Sequence, residues 1–444
     1  MSVLRTVSID PAALLALHAA SPELYPALFE SAAAGEPLGR FDILFAHPSG
    51  GLVAAADSAS LLSELDRCWQ RERIPATAPD SGPAIPFTGG WLLYLGYELA
   101  GQIEPRLRLP QPAVGPIAQA IRIRAAVVHE HGSARSWIVA EPEAADLIPR
   151  IAADLRAVSV PPDLRTPLVD SVVEDDPRHY LEAVERALEY IGAGDVYQAN
   201  LSRGWRALLR PGVQPHHVYR RLRETNPGPF SGSAQLDGIA VISSSPERLV
   251  SVRDGVVTTR PIAGTRPRGA DPVADQALAR ELHAHPKERA EHIMLIDLER
   301  NDLGRICEAG SVRVDEFMTI ESYSHVHHIV SNVCGRLRPD VTPGNVLAAV
   351  FPGGTITGCP KIRCMEIIAE LESTARGAYT GSLGYLNRDG TMDMNILIRT
   401  LQLAGRELTV RAGAGIVADS IPERELEETR AKARGVLRAV GVES

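Results

Sequence analysis

The sequence predicts a mixed α+β protein of two structural units or one large one, and three observations predict it. The first 135 residues or so alternate short apolar runs with turn residues, the pattern of strands joined by loops. From residue 177 onward, helical and extended patterns alternate to the end of the chain. A chain of 444 residues, 45% hydrophobic and 23% charged, can bury roughly three-quarters of its unfolded surface, so a large core is available. No repeat and no low-complexity tract occurs, which excludes solenoids and fibres.

Taken in order, residues 41–47, 89–97 and 121–129 read as strands, and 141–156 as a helix. The stretch Val158-Ser-Val-Pro-Pro-Asp-Leu-Arg-Thr-Pro167 follows, and its adjacent prolines forbid a helix. A boundary is expected near residue 165, dividing an N-terminal region, 1–165, from a second region, 166–444. A helix fits 177–193, where Tyr180, Val184, Ala187, Leu188 and Ile191 share a face and Gly192-Ala-Gly194 stops it. Toward the C-terminus, 407–411 reads as a strand and Ser420-Ile-Pro-Glu423 as a capping box that opens a helix.

Forty-six basic against 55 acidic residues leave a net charge of -9, which opposes the positive field a nucleic-acid partner needs. Nothing resembles a signal segment or a membrane span, so a cytoplasmic location without a membrane partner is expected. Cys68, Cys307, Cys334, Cys359 and Cys364 are odd in number and irregular in spacing, and are expected to be reduced thiols. Of the 46 basic residues only Lys287, Lys361 and Lys432 are lysine, so each marks a place where a compact ammonium matters.

Two helical segments each carry glutamates three residues apart: Glu288 and Glu291, and Glu425 and Glu428. That spacing puts each pair on one helix face. If the faces meet, four carboxylates repel one another unless a cation intervenes, and all-oxygen ligands suit Mg²⁺. From spacing alone, two unrelated solvated faces are the favoured reading. Phe351-Pro-Gly-Gly-Thr-Ile-Thr-Gly-Cys-Pro-Lys361 fails the Walker pattern but describes either a turn whose backbone approaches a ligand or a packing turn. Gly413-Ala-Gly-Ile-Val-Ala418 matches a dinucleotide fingerprint poorly, because no helix opens within it. Its glycines offer bare backbone to an anion, with Arg399 and Lys432 as cations. In Ser322-Tyr-Ser-His-Val-His-His328 the alternation suggests a strand with one face toward a site, and the spacing is not that of a zinc site. No nucleophile elbow occurs, so covalent acyl chemistry on glutamine is not expected of this chain.

Together these segments resemble the chorismate-utilising enzymes, the family of anthranilate synthase component I, aminodeoxychorismate synthase component I, isochorismate synthase and salicylate synthase. The similarity runs from about Asp176 to Val442. It is carried by Ser245-Pro-Glu-Arg248, Pro261-Ile-Ala-Gly-Thr-Arg-Pro-Arg268, and the stretches 287–302, 325–331, 354–361, 393–400 and 413–432. The resemblance implies an α+β fold in which two large antiparallel β-sheets pack as a sandwich with helices outside, as in anthranilate synthase component I. Gln198-Ala-Asn-Leu-Ser202, Pro352-Gly-Gly-Thr-Ile-Thr-Gly358, Asp297-Leu-Glu-Arg-Asn-Asp302 and Tyr379-Thr-Gly-Ser-Leu-Gly-Tyr385 look most like the aminodeoxychorismate synthase branch. Anthranilate synthases tend to read Phe-Pro-Ala-Gly and Asp-Leu-Gly-Arg-Asn-Asp at the matching places. One departure stands out: Ala263 occupies the position of that branch's nucleophilic lysine, as it does in anthranilate synthases.

By resemblance, Glu288, Glu291, Glu425 and Glu428 hold Mg²⁺ against the ring carboxylate of chorismate. Tyr379, Arg399, Lys432 and the backbone of Gly413, Ala414 and Gly415 hold the carboxylates. Glu247 protonates the departing hydroxyl, and His328 and Thr355 orient the ring or its leaving groups. Lys361 lies near the site without an assigned role. The implied reaction is conversion of chorismate and ammonia to 4-amino-4-deoxychorismate, toward 4-aminobenzoate and folate, with a glutamine amidotransferase subunit supplying the ammonia. The alternative is anthranilate synthase, which releases pyruvate. A catalytically silent metabolite-binding subunit is the remote alternative, and isochorismate or salicylate synthases rank lowest because they carry a lysine base where Gln198 stands. Tyr25-Pro-Ala-Leu-Phe-Glu-Ser31 and Asn226-Pro-Gly-Pro-Phe230 resemble the family's tryptophan-site segments, with plain packing the favoured reading.

Overall fold

The computed structural model describes residues 2–31, 39–55, 58, 60–75, 84–133, 135–164, 166–323 and 326–442. Residue 165, where the boundary is expected, and Ser324 and His325 of the histidine-dense run lie outside them.

Among the described residues, twenty strands and eleven α-helices form an antiparallel α+β fold. The strands are joined by hydrogen bonds into one continuous network. Its N-terminal part is built on Ala118–Glu130, which pairs with Phe41–Ala54 on one edge and with Gly90–Leu95 and Arg135–Ala140 along its length. The strands expected at 41–47 and 121–129 are thus longer than their apolar runs, because paired backbone carries them past the last apolar residue. Strands from either side of residue 165 share ladders: Gly90–Leu95 pairs with Ser382–Asn387, and Ala27–Glu30 with Phe230–Gln235.

In the C-terminal part, Gln198–Leu209 pairs with Glu407–Ile416 over ten consecutive positions. Val326–Arg336 pairs with Val256–Thr259, Ile262–Pro267 and Arg313–Ser322. A large apolar cluster packs helices Leu61–Glu72, Pro177–Gly192, Pro343–Val350 and Lys361–Leu371 against these strands. Tyr180, Val184 and Ala187 are its buried contribution from Pro177–Gly192. All five cysteines are free thiols.

Two local expectations are corrected. The helix expected at 141–156 is a 3₁₀ turn, Pro142–Ala144, followed by an α-helix, Leu147–Ala157. Pro149 fits only the first turn of a helix, which sets the start at Leu147. Ser420 does not cap its helix: Pro422–Leu437 begins after Ile421, whose backbone is extended, and the Ser420 hydroxyl accepts from Val417 N at 3.1 Å.

Candidate active site

The first acidic pair lies on the helix Pro286–Gly304, and the second on Pro422–Leu437. Their beginnings are tied together, since Lys287 Nζ donates to both carboxylate oxygens of Asp419 at 3.0 Å. Glu288 Oε1 lies 3.3 Å from Arg266, Glu291 accepts from Gln198 Nε2 at 3.2 Å, and Glu428 pairs with Lys432 at 2.7 Å. Burial raises the carboxyls of Glu291 and Glu425, and each is raised further by its own like-charged neighbour, Glu288 or Glu428. Lys432 and Lys287 oppose both shifts, so one pair of ammonium groups acts on both helices.

Among the described residues, no three His, Cys, Asp or Glu side chains are gathered closely enough to hold a metal ion. The carboxylates are instead shared among Arg266, Gln198 and Lys432. Even so, the donors are all oxygen, and two of the four stay raised by burial and repulsion despite the opposing lysines, which is the chemistry that suits a hard divalent cation.

A second group is built around Glu247. The turn that carries it is pinned through its own backbone: Glu247 N donates to Ser245 Oγ at 3.2 Å, and Glu247 O accepts from Ile396 N at 3.0 Å. Only 5% exposed, Glu247 has its carboxyl pushed up to about 7 by burial, against the opposing pull of Thr355, the Ile262 backbone, Arg399 and Lys432. Its Oε1 and Thr355 Oγ1 are both buried without a hydrogen-bond partner of good geometry. Arg399 is largely buried and is lowered by desolvation, with Glu247 and Tyr323 opposing. Among the described residues no carboxylate lies within ion-pair distance of its guanidinium.

His328 stands on Val326–Arg336, with Nδ1 at 3.1 Å from the Gly264 carbonyl. A carbonyl only accepts, so the ring proton is assigned to Nδ1 and Nε2 is left as an acceptor. Burial and the nearby Arg399 depress the imidazole to about 4, which keeps it neutral. Ala263 lies on Ile262–Pro267, buried and opposite Ile329; a bulge follows it, with Gly264 at φ +63°. No amine stands there.

The third group is the glycine strand. Gly413 and Gly415 lie on one face of Glu407–Ile416, opposite Ser202 and Asn200, and no helix opens in the motif. A Cβ on Gly413 would meet Asn200 Oδ1 and Tyr379 Oη, each at 2.7 Å, and one on Gly415 would meet Gln198 Nε2 at 2.3 Å. Lys432 Nζ donates to Gly413 O at 3.0 Å. The Ala414 methyl points into the apolar core, so that residue can offer a ligand only its backbone. Tyr379 is raised to about 12, chiefly by burial.

The structure therefore brings Glu291, Gln198, Gly415, Gly413, Tyr379, Lys432 and Glu428 into one connected set, and joins Glu247, Arg399, His328 and Thr355 in another that Lys432 also reaches. Two further residues support these sets, and of the two Arg376 alone lies outside every motif segment of the sequence. Asn200, two residues beyond Gln198 on a strand, shares its face, a signal that period-two alternation contains. Arg376 carries no such signal. It donates to Asn200 O at 2.6 Å and to Ile356 O at 3.2 Å while paired with Glu372, and so holds the backbone of two site segments together. Lys361 forms a buried pair with Asp302 at 2.5 Å.

The tryptophan-like segments also meet. Glu30, Ser31, Pro229 and Phe230 line one cavity of about 430 Å³ with Arg248 and Tyr385, while Tyr25 faces elsewhere and donates to Asp154 at 2.6 Å.

An α+β fold that sets carboxylates, cations and a buried acid beside a bare glycine strand has the make-up of a site for an anionic ligand. The chain belongs to the chorismate binding enzyme family, which matches residues 26–438. It is 41% identical over 412 residues to an anthranilate synthase component I-like protein of Synechocystis sp., covering 91% of this chain and 83% of that one. It is 50% identical over 261 residues to aminodeoxychorismate synthase component 1 of Bacillus subtilis and 53% identical over 261 residues to anthranilate synthase component 1 of Thermus thermophilus. Those two matches cover 59% of this chain and only 55% and 56% of the relatives. The crystal structure of anthranilate synthase component I from Streptococcus pneumoniae superposes with a TM-score of 0.80 at 33% identity, covering 91% of this chain and 93% of that one. The menaquinone-specific isochorismate synthase of Escherichia coli shares the fold, with a TM-score of 0.76 at 19% identity.

Proposed function

We propose that this chorismate-utilising enzyme aminates its substrate with ammonia, and that the product is 4-amino-4-deoxychorismate. Glu247 carries the reading. A buried carboxyl with its pKa raised to about 7, beside an unpaired hydroxyl and a guanidinium, is suited to donate a proton to a departing allylic hydroxyl. Arg399, Lys432 and Tyr379 with the Gly413 to Gly415 backbone bind the two carboxylates of chorismate, and neutral His328 accepts a hydrogen bond through Nε2. Glu288, Glu291, Glu425 and Glu428 would hold Mg²⁺, which supplies counter-charge for the ring carboxylate. Gln198 stands at the edge of the site where water-using relatives carry a lysine base, which favours ammonia as nucleophile. An amidotransferase subunit would supply it.

The choice of C4 over C2 amination rests on Gly353 and Glu299, which follow the aminodeoxychorismate synthase pattern. Ala263 favours a second reading, anthranilate synthase, because a methyl group cannot form the covalent adduct a lysine would. Incubation with chorismate, Mg²⁺ and ammonium separates them. An aminated product that retains its enolpyruvyl group supports the first reading, and anthranilate fluorescence with stoichiometric pyruvate replaces it by the second.

A further inference from the structure

Lys361 is one of three lysines, and neither the substrate cations nor the acidic pairs use it. Its Nζ lies 2.5 Å from Asp302 and 3.2 Å from the Val350 carbonyl. Lys361 and Asp302 together form part of the wall of a surface groove of about 830 Å³, with Asp297, Leu298, Tyr197 and Pro360. One helical turn before Asp302, on the same face of Pro286–Gly304, comes Glu299, which is only 6% exposed. Glu299 approaches the loop that carries Thr355: a Cβ on Gly354 would lie 3.6 Å from Glu299 Oε1. Two buried hydroxyls flank the two carboxyls, Thr259 beside Glu299 and Thr355 beside Glu247, neither with a hydrogen-bond partner of good geometry.

We propose that Glu299, Asp302 and Lys361 form a proton path that joins the enclosed acid Glu247 to the outer groove. The need follows from the balance of the reaction, and so the inference rests on the reading of Glu247 as the acid. Ammonium must shed one proton to become a nucleophile. As the C–N bond forms and the C–O bond breaks, Glu247 gives its proton to the hydroxyl, which leaves as water. The proton shed by ammonium is the one Glu247 must recover before the next turnover, and Glu247 is walled off from solvent. A lysine at the mouth can take and release a proton, whereas an arginine cannot. Glu299 and Asp302 are positioning residues that hold and pass the proton.

The electrostatics agree. Burial and the neighbouring Asp302 push Glu299 up to about 8, with Lys361 opposing and Glu247 adding to the rise; burial also raises Asp302, opposed by Lys361 and Arg305. Cys359 faces Asp302 from the groove, and Arg399 and Lys432 face Glu247 from the site.

The test follows chorismate consumption by the full chain with Mg²⁺ and ammonium, whichever product forms, from about pH 6 to about pH 9. In Glu299→Gln and in Lys361→Met, kcat should fall roughly tenfold more at the alkaline end than at the acid end, with KM unchanged. Difference infrared spectroscopy gives a readout free of turnover: the native chain should keep a protonated buried carboxyl at neutral pH that Glu299→Gln lacks. If Glu299→Gln fails to fold, Asp302→Asn and Lys361→Met carry the same comparison. A native chain that consumes no chorismate overturns the functional reading. Normal turnover with unaltered profiles in the variants, or an infrared spectrum without the protonated carboxyl, overturns the path alone.

Discussion

Enclosure, rather than any single partner, sets the chemistry of Glu247. Its carboxyl lies at about 7 in the fold against 4.5 ordinarily. A group whose pKa rises on folding contributes stability that is full below its unfolded value and is lost as pH climbs through the folded one. Glu247→Gln should therefore flatten the fall in stability between about pH 5 and pH 8 by on the order of 2 kcal/mol, measured by urea unfolding at both pH values. The same change should lower kcat by about a hundredfold or more, since it removes a general acid. A variant that keeps its rate would remove Glu247 from the chemistry.

At the scale of elements, the site is held by backbone and one guanidinium. Arg376 and Glu372 are both buried, and the arginine also lies 4.7 Å from the Tyr97 ring centroid. Arg376→Met leaves Glu372 without its closest ion pair in the interior, and should cost about 3 to 5 kcal/mol, visible as a lower urea midpoint. Gly413→Ala probes the same region without removing charge. Its methyl would fall 2.6 Å from the Leu201 carbonyl, with no flexible neighbour to yield on that side. The displaced strand should reduce kcat/KM roughly a hundredfold while circular dichroism stays native, because small misplacements of substrate are expensive in rate. Much at this scale was legible beforehand: the glutamate spacing, the glycine strand and the Tyr180 face all lie where periodicity puts them. The Ser420 cap was not, because a proline at the first helical position lets the chain begin its helix one residue later than the motif suggests.

For the whole molecule, two sets of buried groups oppose each other. Glu98, Glu247 and Glu299, raised to about 7, 7 and 8, weaken the fold as pH rises. His216, His292 and His328, depressed to about 4, weaken it as pH falls below their ordinary 6.5. Thermal unfolding across pH should therefore show a maximum between about pH 5 and pH 7, and a curve rising steadily to pH 8 would contradict these assignments. The two acidic helices supply a separate test: Glu428→Gln should abolish Mg²⁺-dependent turnover with little change in melting temperature, since Glu428 is half exposed and its pair with Lys432 is a surface one. Unchanged activity would take Glu428 out of the metal site.

By itself the amino-acid sequence determined the chemistry on offer: paired carboxylates at helical spacing, glycines where a side chain would obstruct, three lysines kept among arginines, and an alanine where a nucleophile could stand. These are local properties, set by residue type and by the repeat of helix or strand. Only the tertiary structure decided which of them act together. Lys432 reaches both acidic helices, Arg376 binds segments more than 150 residues apart in the chain, and the shift of each carboxyl depends on how much water the packed chain excludes. Burial and proximity arise from contacts distant in sequence, which no local pattern encodes.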